Sequence, residues 1–326
     1  MTTMRILLST TSYQDTPGAH HDLLASSSFE VICARGPLNE TQMLELIAKN
    51  HGFDGLLNGD DQINSKVIDA ALATNTKLKV ISKYGIGLDS IDQKHASSRK
   101  IPVLYTPGVN ETTVAEHTIG LMIAAAKHFY PHMTAVQNGK WTRQTGTELF
   151  GKTLGVLGLG RIGKEVVKRA SAFGMTLIGH GNHWEDDFAK QYNLERLATR
   201  EEVLRRADVV SLHMHLTEES RGLINRRTIE LMKPGVIVVN TARGGLVVEQ
   251  DVADACRAGR MQYAADVLAT EPIKAPHVFQ GVPNLIVTPH VGSRTNESVV
   301  RQAVRATKNI VNFLRGDKDY IQSNTF

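Results

Sequence analysis

The stretch Thr153-Leu-Gly-Val-Leu-Gly-Leu-Gly-Arg-Ile-Gly163 decides how the rest of this chain is read. It predicts a buried strand over Thr153–Leu157, a turn containing three glycines, and then a helix. Gly158 allows the tight turn, Gly160 lets the backbone approach a diphosphate, and Gly163 lets the helix pack closely on the strand. A diphosphate would lie on the free N–H groups of the helix N-terminus, where the helix dipole favours negative charge.

A glycine turn of this spacing also occurs as a purely structural feature, so its context matters. Here a strand comes before it, and the apolar residues Ile162, Val166, Val167 and Ala170 form one face of a helix after it. This context favours a dinucleotide site. About 150 residues precede the motif, which is enough for another domain.

The composition is that of an ordinary globular protein of about two domains, with 326 residues of which 41% are hydrophobic. No apolar run approaches the ~20 residues that cross a bilayer, and no signal peptide is recognisable at the N-terminus. The two cysteines, Cys33 and Cys256, match neither a disulfide framework nor a zinc spacing. We therefore expect a cytoplasmic protein without membrane contact.

The net charge of +4 and the pI near 9.0 raise the question of nucleic acid binding. The basic residues are spread among acidic ones and form no block that could follow a phosphate backbone. A small anionic substrate is the partner that this pattern favours. No group of cysteine, histidine and acidic residues has metal-ligand spacing, so no metal is expected.

The residues before the glycine motif alternate between strand and helix patterns. We predict strands at Met4–Ser9, Phe29–Ala34, Asp54–Asn58, Leu78–Ser82 and Val103–Tyr105, and helices at Pro17–Ala25, Asn39–Asn50, Ser65–Ala73 and Ser90–Ser98. Such alternation indicates a doubly wound parallel sheet whose ligand edge is formed by the loops after the strands.

The alternation resumes after the glycine motif. We predict strands at Thr176–Gly179, Val209–His213, Val236–Asn240, Tyr263–Asp266 and Leu285–Thr288. The last helix, Glu297–Leu314, comes too late to belong to this second sheet. We therefore predict an α/β protein of two doubly wound parallel-sheet domains. A Rossmann dinucleotide-binding domain of residues 104–294 is inserted into a flavodoxin-like substrate domain of residues 1–103 and 295–326.

A long apolar pattern from Asn110 to Tyr130 predicts one helix that ends at Pro131. Small and apolar residues fill much of its circumference, so we expect it to be buried between units. The helical region 111–140 is too apolar to face water on its outer side, which predicts a homodimer built largely on the cofactor domain.

Four polar segments follow predicted strands, where an α/β fold presents its ligands. Taken singly they have ordinary explanations: Arg243 as a surface cation, Glu271 as a residue at a helix start, and His290 as a loop histidine. The segments are Asn240-Thr-Ala-Arg-Gly244, Ala265-Asp-Val267, Thr270-Glu-Pro272 and Thr288-Pro-His-Val-Gly292.

In combination with the glycine motif, these segments make the sequence similar to the D-isomer-specific 2-hydroxyacid dehydrogenases. That family includes 3-phosphoglycerate, glyoxylate/hydroxypyruvate, D-lactate and formate dehydrogenases. The resemblance runs over almost the whole chain, because Tyr84-Gly-Ile-Gly-Leu-Asp-Ser-Ile-Asp92 and Pro107-Gly-Val-Asn-Glu-Thr-Thr-Val-Ala-Glu-His117 precede the glycine motif in the family's order. It implies a nicotinamide-dependent oxidoreductase with its active site in the cleft between two domains that close on binding.

The resemblance also implies roles for individual residues. Arg243 matches the arginine that binds the substrate carboxylate and polarises its carbonyl, His290 the acid/base, and Glu271 the carboxylate paired with it. With the residues singled out by their own chemistry, the predicted substrate-binding residues further include Lys83, Tyr84, Gly85, Ile86 and Gly87. The predicted cofactor-binding residues are Thr113, Gly158, Gly160, Arg161, Ile162, Gly163, His180, Gly181, Asn182, Thr241, Ala242 and Asp266.

The proposed chemistry requires these residue types independently of the family. A hydride moving between a nicotinamide ring and a 2-oxo carbon needs a proton donor for the forming alkoxide, and histidine suits this near neutral pH. Glu271 would raise the imidazole pKa of His290 and fix the orientation of the ring. Arg243 supplies a planar fork that matches a carboxylate, which lysine does not.

One departure from the family pattern concerns the choice between NAD and NADP. An acid that binds the ribose is expected about 20 residues after the glycines, and Gly181 stands there instead. Its absence permits NADP without requiring it, since no arginine or lysine follows at once. His180, Asn182 and His183 could donate hydrogen bonds, and the sequence weakly favours NADP(H) over NAD(H).

A second departure is Arg294, four residues past His290, where a small residue is expected. With Lys83 it could give the substrate site additional positive charge, or it could be a solvated surface arginine. The chain ends at Phe326, so we expect no regulatory domain of the kind that some phosphoglycerate dehydrogenases append.

Two alternatives remain at the level of sequence. One is an enzyme that acts on formate or phosphite, although the His290 and Glu271 pair favours a 2-hydroxy acid. The other is a dinucleotide-sensing corepressor on the same fold, a binding protein that could keep the catalytic residues. The lack of disordered tails that recruit partners argues against it.

Overall fold

A computed structural model describes residues 3–326 of the chain. The chain forms two compact units, one of Met1–Asn110 with Arg294–Phe326 and the other of Glu111–Ser293. The first unit continues past residue 103, because the backbone N–H of Tyr105 donates to Ile321 O and that of Thr106 donates to Gly85 O.

The first unit contains a five-stranded parallel sheet in the order β2-β1-β3-β4-β5. Its strands are β1 Arg5–Leu8, β2 Glu30–Cys33, β3 Gly55–Asn58, β4 Val80–Lys83 and β5 Val103–Leu104. Its helices are α1 Thr11–Asp15, α2 Ala19–Ala25, α3 Glu40–Lys49, α4 Ser65–Leu72, α5 Gln93–Ser98 and α13 Asn296–Arg315.

Helices cover both faces of this sheet. Leu7 packs into a core with Met43 of α3, whereas its neighbour Ile6 packs on the opposite face with Ile310 of α13, as the alternation of side chains along a strand requires. The last helix of the chain, α13, thus covers one face of the first sheet. Thr295 caps its N-terminus by accepting from Ser298 N.

The second unit contains a seven-stranded parallel sheet in the order β12-β11-β10-β9-β6-β7-β8. Its strands are β6 Thr153–Leu157, β7 Thr176–His180, β8 Leu194–Arg196, β9 Val209–Leu212, β10 Val236–Asn240, β11 Met261–Ala265 and β12 Leu285–Val287. Its helices are α6 Glu111–Ala126, α7 Phe129–Gln137, α8 Arg161–Ala172, α9 Asp186–Gln191, α10 Arg200–Arg206, α11 Arg226–Leu231 and α12 Glu249–Arg257.

The strand order reverses between β6 and β9, and such a switch point is where open α/β sheets bind ligands at the carboxyl ends of their strands. The predicted α/β class with two doubly wound parallel sheets is confirmed. The sequence did not predict β8, whose strand is only three residues long, nor the short helix α1.

The single helix predicted over Asn110–Tyr130 is wrong. The structure has α6, then His128 in the left-handed conformation with φ of 52°, and then α7. Pro131 lies in the first turn of α7, where its missing N–H has no helical partner to lose. The break therefore occurs at His128, which the sequence does not distinguish from a helical residue.

Helix α6 is buried within the second unit. Ala115, Ile119 and Met122 share a core with Val166 of α8 and Val239 of β10. Within residues 3–326, no helix is both long and apolar enough to cross a membrane.

Candidate active site

The glycine turn of the second unit connects β6 to α8 as predicted. Gly158 has φ of 98°, and a Cβ there would lie 2.4 Å from His213 O, so both its conformation and its neighbours exclude a side chain. A Cβ on Gly163 would lie 2.1 Å from Gly158 O. The helix therefore starts in close contact with the turn, as the motif requires.

Gly160 differs from these two glycines, because a Cβ there would meet no atom within 4 Å. It is the N-cap residue of α8 and has no side chain to satisfy the first amides of the helix, which belong to Arg161 and Ile162. An uncapped helix start beside an open backbone fits an anionic diphosphate. The residues of this turn therefore fit a dinucleotide.

The end of β7 carries the residues that would meet the adenosine ribose. His180 Nδ1 lies 3.1 Å from Leu197 O, and since a carbonyl can only accept, Nδ1 carries the proton. A Cβ on Gly181 would lie 3.2 Å from Leu159 N and 3.7 Å from Gly158 Cα. Gly181 thus borders the glycine turn, and Asn182 and His183 after it are exposed.

The segment after β10 is shaped by Asn240, which is fully buried. Its Nδ2 donates to Arg243 O at 2.9 Å, and its Oδ1 accepts from Ala242 N at 3.1 Å. Thr241 Oγ1 lies 2.8 Å from Thr118 Oγ1 of α6. Asn240 therefore folds the segment back so that the half-buried Arg243 follows the end of the strand.

The next segment along the sheet edge lies directly against this one. A Cβ on Gly244 would overlap Leu268 C at 1.9 Å, so glycine is required for the two backbones to approach. Glu271 is fixed there, because its Oε1 accepts from Leu268 N at 2.9 Å. The sequence segments that contain Arg243 and Glu271 are thus held together within the second unit.

Glu271 also contacts His290, and this is the pair of side chains that the resemblance implied. His290 Nδ1 lies 2.6 Å from Glu271 Oε2, and both side chains are partly exposed. The imidazole is thereby oriented through Nδ1. The backbone of His290 is in the left-handed conformation with φ of 53°, which is uncommon for a residue with a side chain.

Asp266 lies at the centre of a buried network behind His290. Its carboxylate accepts from Thr288 Oγ1 at 2.6 Å, from Val291 N at 2.9 Å and from Gly292 N at 2.7 Å, and His117 Nε2 lies 3.4 Å away. Burial by itself would raise the pKa of Asp266, but these hydrogen bonds together lower it below its ordinary value. Asp266 is therefore an ionised, fully engaged carboxylate.

His117 belongs to this network, and the sequence assigned it no role. It lies on α6, and its Nε2 is 2.9 Å from Thr288 Oγ1. Thr113, one turn earlier on the same helix, is buried. The sequence feature that could have singled out His117 is its position as a polar residue within an apolar helix pattern.

In the first unit, Lys83 ends β4 and is almost completely buried. Its Nζ donates to Gly59 O and to Asp60 Oδ1, each at 2.6 Å. Its positive charge is therefore paired with a carboxylate in the loop after β3.

The glycine loop after Lys83 has the conformation of a tight turn. Gly85 has φ of 124°, and its N–H donates to Thr106 Oγ1 at 3.0 Å. Burial raises the pKa of the Tyr84 hydroxyl above its ordinary value, although Ser12 and Arg294 oppose this. Ile86 and Gly87 follow in the same loop and are half-buried.

Arg294 is the first residue of the segment that returns to the first unit. Its Nη2 is 4.0 Å from Asp15 Oδ2, while Arg35 makes two shorter contacts with the same carboxylate, at 2.6 and 2.8 Å. Two guanidinium groups thus share the Asp15 carboxylate, and one of them, that of Arg294, is close enough to Tyr84 to oppose the rise of its pKa. Among residues 3–326, no group of histidine, cysteine and acidic side chains could hold a metal ion.

Both a family model and individual sequence relatives match this chain. Residues 119–292 match the NAD binding domain of the D-isomer specific 2-hydroxyacid dehydrogenases. The D-3-phosphoglycerate dehydrogenase of Methanocaldococcus jannaschii is 40% identical over 256 residues, which are 78% of this chain and 49% of that protein. The hydroxypyruvate reductase of Thermotoga maritima is 39% identical over 254 residues, which are 76% of this chain and 81% of that protein.

Among solved structures, the TT0316 protein from Thermus thermophilus superimposes with a TM-score of 0.86. It is 34% identical, and the match covers 98% of this chain and 99% of that one. The chain spans about half the length of the phosphoglycerate dehydrogenases that it matches.

Proposed function

Because the chain belongs to the D-isomer specific 2-hydroxyacid dehydrogenases, we propose that it transfers a hydride between a nicotinamide dinucleotide and a small D-2-hydroxy or 2-oxo acid. The observation that carries this proposal is the contact of His290 Nδ1 with Glu271 Oε2 at 2.6 Å. It orients a histidine at the carboxyl edge of the dinucleotide-type sheet, where an acid/base for an alkoxide is needed.

His290 is the acid/base of the proposed reaction. In the direction of reduction, the imidazolium gives a proton from Nε2 to the substrate oxygen as that oxygen becomes a hydroxyl. Glu271 accepts from Nδ1 in both protonation states and stabilises the positively charged ring. When a 2-hydroxy acid is oxidised, the neutral ring takes the hydroxyl proton back.

Arg243 is the residue that we assign to the substrate carboxylate, because its planar guanidinium can donate two parallel hydrogen bonds. In the first unit we assign substrate binding to the backbone of Gly85–Gly87 and to Tyr84. Lys83, which directly precedes Tyr84, is tied to the loop after β3 by its bonds to Gly59 and Asp60. Arg294 adds positive charge near Tyr84, which favours an anionic substrate.

The bound nicotinamide dinucleotide supplies the hydride acceptor or donor. Gly158, Gly160 and Gly163, with the first amides of α8, would hold its diphosphate. Thr113, Thr241, Ala242 and Asp266 are the further residues that we assign to it.

His180 bears on the choice between NAD and NADP. Its Nδ1 donates to Leu197 O, so the neutral ring presents an acceptor at Nε2, which suits a ribose hydroxyl. Donation to a 2′-phosphate would require the imidazolium. With glycine at 181, no carboxylate repels that phosphate, so we propose that both cofactors are admitted.

We also propose a homodimer formed through the region around α7. That helix has no buried residue, and large apolar side chains are exposed on it and on the segment that follows. They are Phe129, Tyr130, Met133, Val136, Trp141 and Phe150. An apolar surface of this extent marks an interface, and a second copy of the chain would cover it by twofold symmetry.

The test is a steady-state assay of purified protein with glyoxylate, hydroxypyruvate, phosphohydroxypyruvate, pyruvate and formate, each with NAD(H) and NADP(H). Turnover of a 2-oxo acid is expected, and His290→Ala should remove it while the surface variant His21→Ala should not. Nucleotide binding without turnover of any substrate would instead support a dinucleotide-sensing protein. Turnover of formate alone would support the formate-type alternative.

A further inference from the structure

His117 is a titratable side chain that the proposed mechanism does not use, although it is hydrogen-bonded to the segment that carries His290. It lies on α6, far in sequence from its two contacts. Its Nε2 is 2.9 Å from Thr288 Oγ1 and 3.4 Å from Asp266 Oδ1.

The protons of this network can be assigned from the acceptors. Thr288 Oγ1 lies 2.6 Å from Asp266 Oδ1, and a buried carboxylate can only accept, so the threonine hydroxyl donates its one proton there. The same oxygen must then accept from His117 Nε2, which carries a proton. Removal of the His117 imidazole leaves Thr288 Oγ1 without its donor. It also removes an N–H group near the Asp266 carboxylate.

The Asp266 carboxylate determines the path of the backbone around His290. It accepts from the two amides that follow His290, those of Val291 and Gly292, while His290 N donates to Asp266 O at 2.9 Å. These bonds bracket the left-handed residue and hold φ at 53°. A conformation that is unfavourable for a side-chain-bearing residue persists only where the surroundings fix it.

Close packing reinforces this arrangement. A Cβ on Gly292 would lie 2.8 Å from Asp266 Oδ2 and 3.4 Å from His117 Cδ2. A side chain at residue 292 would therefore displace the Asp266 carboxylate, so the turn after His290 is closely fitted to that carboxylate.

We propose that His117 is a positioning residue, which acts through Thr288 and Asp266 to hold His290 in the left-handed conformation where its ring meets Glu271. The proposal rests on the proposed function, since it assigns His117 to the acid/base step. His117 itself does not contact the reacting groups. Its effect is therefore expected mainly in kcat, and because Asp266 is also assigned to the cofactor, a smaller loss of cofactor affinity should accompany it.

The decisive comparison is between His117→Leu and His117→Gln. Leucine removes the donor at similar volume, whereas the glutamine amide places an N–H near the position of Nε2. We expect kcat to fall about 10- to 100-fold in the leucine variant, the range for a buried polar group left without its partner, and to recover largely in the glutamine variant. The Kd of the reduced dinucleotide, measured by fluorescence, should change by a smaller factor than kcat does.

A second measurement separates positioning from a general loss of structure. Because His117 acts through His290, His117→Leu should lower kcat when His290 is present. The same substitution should have no further effect on kcat in a His290→Ala background. Thr288→Val should behave as His117→Leu does, and Thr288→Ser should retain activity. Equal losses in both backgrounds, or a full loss in the glutamine variant, would overturn the proposal.

Crystal structures of the two His117 variants provide a readout that does not depend on turnover. In the leucine variant, residue 290 should leave the left-handed region and the contact with Glu271 should lengthen, whereas the glutamine variant should keep both. An unchanged His290 in the leucine variant would refute the positioning role even if the wild type proved inactive. Wild-type inactivity with a displaced His290 in the leucine variant would refute the proposed function alone.

Discussion

Replacing Gly181 with aspartate tests the proposal that glycine at this position admits NADP beside NAD. A Cβ at this position would lie 3.7 Å from Gly158 Cα, so the new carboxylate would stand beside the glycine turn. A carboxylate there can accept from the ribose hydroxyls of NADH, but it repels a 2′-phosphate. We expect the affinity for NADPH to fall much more than the affinity for NADH.

The magnitude follows from the short separation. Two like charges about 4 Å apart at an effective dielectric constant near 20 repel by about 4 kcal/mol. Salt screening and side-chain motion reduce this to about 1–3 kcal/mol, which is about a 5- to 150-fold change in preference. The effect should shrink as ionic strength rises, because it is electrostatic.

Gly181→Asn is the matched control. The Cβ of either residue would lie 3.2 Å from Leu159 N, so both variants require the same small adjustment of the turn, and only aspartate adds charge. Dissociation constants of NADH and NADPH are measured by fluorescence titration for all three proteins. A ratio in the aspartate variant equal to that in the asparagine variant would refute the electrostatic argument and leave Gly181 with a structural role.

Three further results are expected. His290→Ala should lower kcat for a 2-oxo acid by about 10²- to 10⁴-fold with nearly unchanged cofactor affinity, and near-normal turnover in single-turnover kinetics would exclude His290 as the acid/base. Desolvation lowers the pKa of the half-buried His213 imidazole to about 3, below the unfolded value, so the native protein loses stability as the pH falls from about 6.5 towards 3. Urea titrations at pH 7 and pH 5 should show a smaller loss for His213→Asn than for the wild type, and equal losses would contradict the assignment. Met133→Glu combined with Trp141→Glu should convert a dimer to a monomer in analytical ultracentrifugation, whereas a wild type that is already monomeric at micromolar concentration would rule the dimer out.

The elements that the sequence predicted well are those defined by local patterns. The five strands of the first sheet were placed within two residues of their observed bounds, because buried parallel strands are short apolar runs between turn residues. The glycine turn was predicted for the same reason, since Gly158 and Gly163 stand where a side chain would clash with nearby backbone atoms. Where a local pattern was ambiguous, as at His128, the prediction was wrong.

The candidate site was predictable in its residue types and only partly in its connections. The pairing of His290 with Glu271 followed from a resemblance, and the structure contains that contact. The engagement of Lys83 with Asp60 did not follow, because it depends on where the loop after β3 lies beside the end of β4. A cation expected to add charge to the site is therefore paired within the first unit.

The hydrogen bonds of His117 show why contacts between residues far apart in the chain could not be predicted from the sequence. Its partners Thr288 and Asp266 are separated from it by about 150 residues or more, and they meet it only because α6 packs on the second sheet beside β10 and β11. Helix periodicity places His117 on a largely buried surface, where a histidine requires partners, but it does not name them. The packing of α6 therefore determines which loop the imidazole supports, and that loop is the one that carries His290.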